Sequence, residues 1–183
     1  MIRRKGGVLR PLTEADLSLV RKWRNSARIR AVMYSDHIIT PDEHRKWFRK
    51  IRNGRGAVYL VFEFAGHPAG MVYFTDRDAE NGTCAWGFYL GETGLPRGTG
   101  TMMGVLGLEY AFKTLKIRKL FGETFAFNKA SIRFFRRLGF VKEAYFRQHV
   151  MKKNRFEDVV VFSLLAREWK NNRKNLAAMA FHD

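Results

Sequence analysis

Apolar and polar positions change their period several times along the chain. Residues 7–12 alternate as a short strand. Thr13 followed by Glu14, Ala15 and Asp16 has the form of a helix N-cap with acidic residues in the first turn, facing the positive end of the helix dipole. Leu17, Val20 and Trp23 continue that helix, and residues 23–34 extend it with a bend expected near Asn25 and Ser26. Thr40-Pro41-Asp42-Glu43 is the clearest helix start: Thr as the cap, Pro at the first helical position, and Glu three residues after the cap to close a capping box. His44, Trp47, Phe48 and Ile51 then share one face, and Asn53-Gly54 ends the helix.

From residue 57 the period falls to two. Residues 57–64, 69–76 and 83–90 are predicted strands, joined by turns at Ala65-Gly66 and Asn81-Gly82 into an antiparallel meander. Gly87, in the middle of the third, predicts a bulge or a close approach of a chain or ligand to the backbone. A Gly/Pro-rich turn leads into a helix over 98–115, a strand over 118–125 and a helix over 128–138 stopped by Gly139. Strands over 140–151 and 156–165 flank a turn at Lys152-Lys153-Asn154, and a last helix from Ala166 trails into a polar tail expected to fray. This order predicts an α/β (α+β) fold, a mixed and mostly antiparallel sheet flanked by helices, in a single domain over 1–183 with 1–6 and about 171–183 flexible. Strands 83–90 and 118–125 would be parallel neighbours, and if they splay they open a slot.

Charge narrows the ligands. A formal net charge of +17 favours anionic partners: nucleic acid, a membrane surface or small phosphorylated molecules. The basic residues are spread along the chain, and neither an RNP-like nor a helix-turn-helix signature accompanies them, which weakens the nucleic-acid reading. The single cysteine, Cys84, excludes an intramolecular disulfide and a Cys-based zinc site, so no metal and a reducing cytoplasm are the expectation. Neither a signal peptide nor an apolar run long enough to span a membrane is present, so a soluble protein is expected.

The stretch 84–112 is read as strand, loop and helix. Gly98 and Gly100 fall where the helix begins, and its unpaired N–H groups with the dipole behind them would seat a diphosphate. An ordinary strand-to-helix connection that uses glycine for its turn is the alternative at this point. His44, on an aromatic face, is either a hydrogen-bonded structural residue or a ligand.

The run Leu95-Pro96-Arg97-Gly98-Thr99-Gly100 is similar to the acyl-CoA pyrophosphate loop of the GCN-five-related N-acetyltransferases, Gln/Arg-x-x-Gly-x-Gly/Ala. Asn128-Lys129-Ala130-Ser131, Phe134-Phe135 and Leu138-Gly139-Phe140 resemble that superfamily's second motif at its usual separation. The resemblance covers residues 8–165. Within the superfamily, Trp23-Arg24-Asn25, Met33-Tyr34, His44 with Trp47, Trp86-Gly87-Phe88-Tyr89-Leu90-Gly91, His149, Val159-Val160 and Arg167-Glu168-Trp169 resemble the pseudaminic acid biosynthesis enzymes that acetylate a UDP-linked 4-amino-4,6-dideoxy sugar.

The resemblance implies an N-acetyltransferase with acetyl-CoA as cosubstrate and a nucleotide amino sugar as acceptor. A protein N-terminal or other amine acetyltransferase is the alternative, a non-enzymatic nucleic-acid-binding domain a more distant one, and a homodimer is left open. It implies that Phe88, Tyr89 and Leu90 hold the pantetheine arm like an added strand, with Leu90 N–H as the oxyanion donor. Leu95, Pro96, Arg97, Gly98, Thr99, Gly100 and Thr101 would surround the pyrophosphate, Asn128 and Ser131 the far end of the pantetheine arm, and Phe134 and Phe135 would pack on CoA or fill the core. Arg24, Met33, His44, Tyr73, Thr75 and Tyr89 are expected at the acceptor, and Glu123 as the base that takes the ammonium proton, directly or through water. Two residues depart from the pattern. Leu95 stands where the superfamily prefers Gln or Arg, and Phe135 where many relatives have a Tyr that protonates the departing thiolate, leaving that task to water, Tyr73 or Tyr145.

Overall fold

The computed structural model describes residues 2–4, 6–54 and 56–181. Its strands are β1 (Ile2–Arg4), β2 (Gly7–Pro11), β3 (Val58–Phe64), β4 (His67–Asp78), β5 (Thr83–Leu90), β6 (Lys119–Phe125), β7 (Val141–Lys152) and β8 (Arg155–Leu165). Its helices are α1 (Leu17–Asn25), α2 (Ala27–Arg30), α3 (Pro41–Asn53), α4 (Thr99–Glu109), α5 (Lys129–Arg137) and α6 (Ala166–Phe181). The strands form an eight-stranded sheet in the order β1-β2-β3-β4-β5-β6-β8-β7. β1 was not expected from the sequence. The parallel pair β5–β6 is in register only at Thr83 with Lys119, Cys84 with Leu120 and Ala85 with Phe121. Beyond Ala85 the two strands part: β5 stays with β4 as far as Leu90 opposite Gly70, while β6 follows β8 to Phe125 opposite Val159. The expected slot is this divergence.

Each face of the sheet has its own helical cover. On one, α4 is buried along nearly its whole length, as its apolar, small-residue sequence requires, and packs with Phe62, Val72, Trp86, Phe135 and Phe162. α6 covers α4 in turn. Trp169, Leu176 and Ala180 are buried and Phe112 stacks on Trp169 at 5.1 Å, so the tail expected to fray is a packed helix up to Phe181. The polar composition of 170–175 concealed the seven- and four-residue spacing that places those three on one face. On the other face α1 and α2 lie over Val61, Met71 and Tyr89, and α3 sets Trp47 against Tyr59. α1 ends at Asn25 near the expected bend. Ser26 turns out of the helix with ψ 143° and its hydroxyl caps α2, which stops at Arg30, so Met33 and Tyr34 lie in a loop instead of the expected helix. The Thr40–Glu43 capping box forms as expected, while α4 passes into a π-helical turn at Tyr110–Thr114. Lys152, expected in a turn, is the last residue of β7 and is buried. The turn itself is Lys153-Asn154, with φ of 48° and 63° as a two-residue hairpin connection demands.

A charged anchor sets the start of the α1–α3 layer. Arg10 donates to both carboxylate oxygens of Asp16 at 2.7 Å and to Glu63 at 2.6 Å, and the Thr13 N–H donates to Asp16 at 2.9 Å. Burial alone would raise the Asp16 carboxyl, but the hydrogen bonds from Arg10 and Thr13 outweigh it and hold its pKa below the usual value. A carboxyl depressed on folding contributes stability above its unfolded pKa and loses it as pH falls through the folded one. Asp16→Asn is therefore expected to lower unfolding stability by about 2 kcal/mol at pH 7. In urea titrations the gap to the wild type should close as pH falls well below the unfolded carboxylate value of about 3.9.

Candidate active site

The slot between β5 and β6 exposes backbone that an ordinary sheet would pair. In an antiparallel ladder alternate residues turn their N–H and C=O to opposite sides. Gly91 N–H bonds Ala69 O at 2.8 Å, and a Cβ at Gly70 would meet the Tyr89 carbonyl at 2.5 Å, so residues 89 and 91 face β4. The polar groups of Phe88 and Leu90 therefore face the slot, whereas the Tyr89 backbone belongs to the β4 ladder and only its side chain is free for a ligand. Arg28 Nη2 closes the far end of this edge by donating to Leu90 O at 2.9 Å and Gly91 O at 3.0 Å.

At that end α4 begins. Gly98, with φ of +93°, is its N-cap in a left-handed conformation that only glycine adopts readily. Thr99 directs both its N–H (3.2 Å) and its hydroxyl (2.8 Å) to Pro96 O, and Met102 N–H goes to Gly98 O at 2.9 Å. Among the described residues the N–H groups of Gly100 and Thr101 have no protein acceptor. Gly98 is exposed, a Cβ at Gly100 would meet only Leu90 at 3.5 Å and Phe134 at 4.0 Å, and so the helix start is an open, electropositive cradle that fits a diphosphate. Leu95 is half-buried and packs against the core, which accounts for an apolar residue before the loop; Pro96 and Arg97 are exposed.

α5 forms the other wall. Asn128 caps it, accepting the Ser131 N–H at 3.2 Å and donating to the Ser131 hydroxyl at 2.9 Å, so these two residues first serve each other. Phe134 is half-buried against Phe88, 4.5 Å between ring centres. Phe135, 2% exposed, sits among Trp86, Phe88, Phe140 and Phe162 as core. Gly122 is required there, since a Cβ would come within 2.8 Å of the Phe135 ring.

On the opposite face a cavity of about 740 Å³ lies between the sheet and the α1–α3 layer, and it gathers Arg24, Met33, His44, Tyr73, Thr75, Tyr89 and Glu123. The sequence placed all seven at one site although they span a hundred residues. It missed Tyr34, whose hydroxyl donates to Glu123 Oε2 at 2.6 Å and whose ring meets Phe125 edge-on at 5.2 Å. It missed Tyr59 as well, which connects Trp47 (5.0 Å) to Tyr73 (5.4 Å) in a run of aromatic rings. The Tyr73 ring explains Gly87: a Cβ there would lie 2.1 Å from it, so the close approach comes from a neighbouring side chain, and the sheet irregularity lies instead on β4 between Thr75 and Asp78.

Burial governs the electrostatics of the cavity. It pushes the Tyr73 hydroxyl up to about 12 and raises Tyr89 further, so both phenols are neutral donors at physiological pH. Burial, aided by the charge of Arg21, lowers the pKa of His44, which stacks on Trp47 at 4.8 Å as neutral imidazole. Arg24 is the unusual group. Its Nη2 donates to Ser35 O (3.0 Å) and Oγ (2.9 Å), but its Nη1 is buried and without a partner among the described residues, and burial lowers its pKa. Two further carboxylates line the cavity, and both have internal partners: Glu43 accepts the Thr40 N–H at 2.7 Å, and Asp76 accepts the Thr75 hydroxyl at 3.1 Å. Tyr145, considered as a proton donor, bonds Asp158 on the β7–β8 hairpin and does not line the cavity.

The chain is 28% identical over 130 residues, 70% of its length and 72% of the relative's, to an uncharacterized N-acetyltransferase derived from the SPbeta prophage of Bacillus subtilis (strain 168). It is 31% identical over 110 residues, 60% of its length and 62% of the relative's, to an uncharacterized N-acetyltransferase of Bacillus licheniformis. Among solved structures, spermidine N-acetyltransferase from Vibrio cholerae, in complex with CoA and spermine, has a TM-score of 0.86 over 91% of this chain and 99% of that one, at 18% identity. A GCN5-related N-acetyltransferase from Brucella melitensis has a TM-score of 0.79 at 24% identity, covering 96% and 83%. A family model described as an acetyltransferase (GNAT) domain matches residues 8–141, a span that holds the splayed strands, the Gly98 cradle and the Asn128 wall, and the chain belongs to that family.

Proposed function

We propose that the chain transfers the acetyl group of acetyl-CoA to the 4-amino group of a UDP-linked 4-amino-4,6-dideoxy sugar. The observation that carries the acceptor is Arg24, which lines a cavity of about 740 Å³ with Glu123 and whose Nη1 is buried and without a partner among the described residues. A buried guanidinium N–H without an acceptor is unfavourable, and phosphate oxygens are its best complement. The volume suits a ligand of nucleotide size, and the Trp47 and Tyr59 rings offer faces to a base. On the donor side, Phe88 and Leu90 would pair with the pantetheine amides, and the Gly98, Gly100 and Thr101 N–H groups would take the diphosphate. Leu90 N–H would receive the carbonyl oxygen as charge develops on it. The acceptor arrives as an ammonium near neutral pH. Glu123 takes one proton, directly or through a water, the amine attacks the thioester carbonyl, the C–N bond forms, the C–S bond breaks with CoA leaving as thiolate, and the surplus proton on nitrogen passes through water to the thiolate, giving the neutral amide and free thiol.

A second reading, a polyamine acceptor, has the three carboxylates of the cavity in its favour. Against it, Glu43, Asp76 and Glu123 each accept an internal hydrogen bond, while the buried side-chain atoms without a partner among the described residues are Arg24 Nη1, His44 Nδ1 and Trp86 Nε1, none of them a carboxylate oxygen. Thiol release from acetyl-CoA should be followed with UDP-4-amino-4,6-dideoxy-N-acetyl-beta-L-altrosamine, spermidine and a basic peptide with a free N-terminus. Turnover of the nucleotide sugar, inhibited competitively by UDP, is the expected result. Turnover of spermidine or peptide alone would overturn the sugar assignment.

A further inference from the structure

Resting on that reading of the cavity, a buried cation far along the chain acquires a role. Lys152 is 5% exposed at the end of β7, the strand at one edge of the sheet. Its Nζ donates to Met33 O at 2.8 Å and Arg30 O at 3.1 Å, lies 3.6 Å from Asp36 Oδ2, and stands 5.6 Å from the centre of the Phe125 ring. A buried ammonium is unfavourable unless it is hydrogen-bonded and paired, and here its polar partners all belong to the stretch 30–36. That stretch follows the end of α2, where helix carbonyls lack intrahelical donors, and it carries Met33 and Tyr34 into the acceptor cavity. Apart from the Tyr34 hydroxyl on Glu123, its other side-chain ties, Arg24 to Ser35 and Arg30 to Asp36 O at 2.9 Å, come from the α1–α2 segment itself. Lys152 therefore connects this loop to the β6–β8 half of the sheet, where Tyr34 meets both Phe125 and Glu123.

We propose that Lys152 is a positioning residue for acetyl transfer. It holds residues 31–36 against the sheet so that Tyr34 fixes the Glu123 carboxylate and Met33 shapes the acceptor end of the cavity. Lys152→Met keeps the aliphatic packing on Phe125 but removes the ammonium donor from the Met33 carbonyl and leaves Arg30 O only the Met33 N–H at 3.2 Å, so the side-chain tie between this loop and β7 is lost.

Two readouts test this. Hydrogen exchange requires no acceptor: in Lys152→Met the amides of 31–36 are expected to exchange at least about tenfold faster, with α4 and β5 unchanged. In kinetics, kcat/KM for the acceptor should fall about tenfold with acetyl-CoA affinity unchanged. Adding Lys152→Met to Tyr34→Phe should cost little beyond Tyr34→Phe alone, since both act through the same contact. Unaltered exchange and kinetics would overturn the proposal, and so would a parallel loss of acetyl-CoA affinity, the mark of a general structural role. Should Lys152→Met not fold, Lys152→Gln, which keeps N–H donors without the charge, takes the same readings. If the wild type turns over no nucleotide sugar, the acceptor assignment fails while the exchange experiment still decides the role of Lys152.

Discussion

Replacing Glu123 by glutamine is expected to lower kcat by a factor on the order of 10² to 10³ while leaving acetyl-CoA binding intact, because general base catalysis by a positioned group supplies an effect of that size. The substitution is close to isosteric. An amide oxygen at the Oε2 position still accepts the Tyr34 hydroxyl, now at 2.6 Å, so the loop that carries Tyr34 keeps its anchor. What is lost is proton affinity. The sign of the remaining pH dependence follows: without a base in the site only amine already deprotonated in solution attacks, so the variant's rate should climb about tenfold per pH unit until the acceptor's own pKa is reached. The wild type should show a flatter profile over the same range. Stopped-flow or steady-state thiol release across pH 6 to 10 measures both slopes. Undiminished kcat in Glu123→Gln would move the base elsewhere in the cavity.

The features legible in the sequence are those set by local chemistry. The Thr40-Pro41 cap, the left-handed Gly98 and the stop at Gly139 each need a particular residue at a particular backbone conformation, and each stands where the sequence predicts. The seven residues gathered in the acceptor cavity were legible through family resemblance alone, since nothing local in Arg24 or Thr75 marks them. The path of residues 31–36 was hidden for a physical reason. Its backbone is held by side chains distant in sequence, with Lys152 more than a hundred residues away, and a helix continued through Tyr34 is the simpler local solution. Lys152 misled in the same way: charge next to a turn suggests exposure, but Lys153 and Asn154 supply the two left-handed residues and leave Lys152 inside. Gly87 was legible as a close contact but not as to its source, because the Tyr73 ring lies across the β4–β5 register.

On the proposed reading the slot and the cavity divide the work of the sheet. Phe88 and Leu90 turn their backbone to the slot, and Tyr89 between them turns its side chain to the acceptor cavity, an alternation that a strand imposes without further design. Because β6 leaves β5 at Ala85, Glu123 on β6 borders the same opening. An acceptor held on the α1–α3 side can then reach a thioester lying in the slot.

Arg24→Met is the second large effect expected, and it separates binding from stability. For a nucleotide sugar held through phosphate by the guanidinium, loss of a buried charge-assisted contact should raise the acceptor KM by about 10²-fold. Acetyl-CoA affinity should not change, since the Gly98 cradle lies on the other side of the sheet. Stability should move in the opposite direction from activity. In the free protein Arg24 Nη1 is buried and without a partner among the described residues, and burial depresses its pKa, so the charge is held at a cost to the fold. Methionine fills a similar volume with no polar atom to satisfy, and the groups it abandons, Ser35 O and Oγ, belong to an exposed residue that water can serve. The melting temperature is therefore expected to stay the same or rise by about 2–4 °C, the shift that 1 kcal/mol produces in a domain of this size. Calorimetry and acceptor kinetics on the same preparation check both halves. A melting temperature that falls with KM unchanged would make Arg24 a structural residue of the α1–α2 segment and remove the phosphate contact from the acceptor assignment.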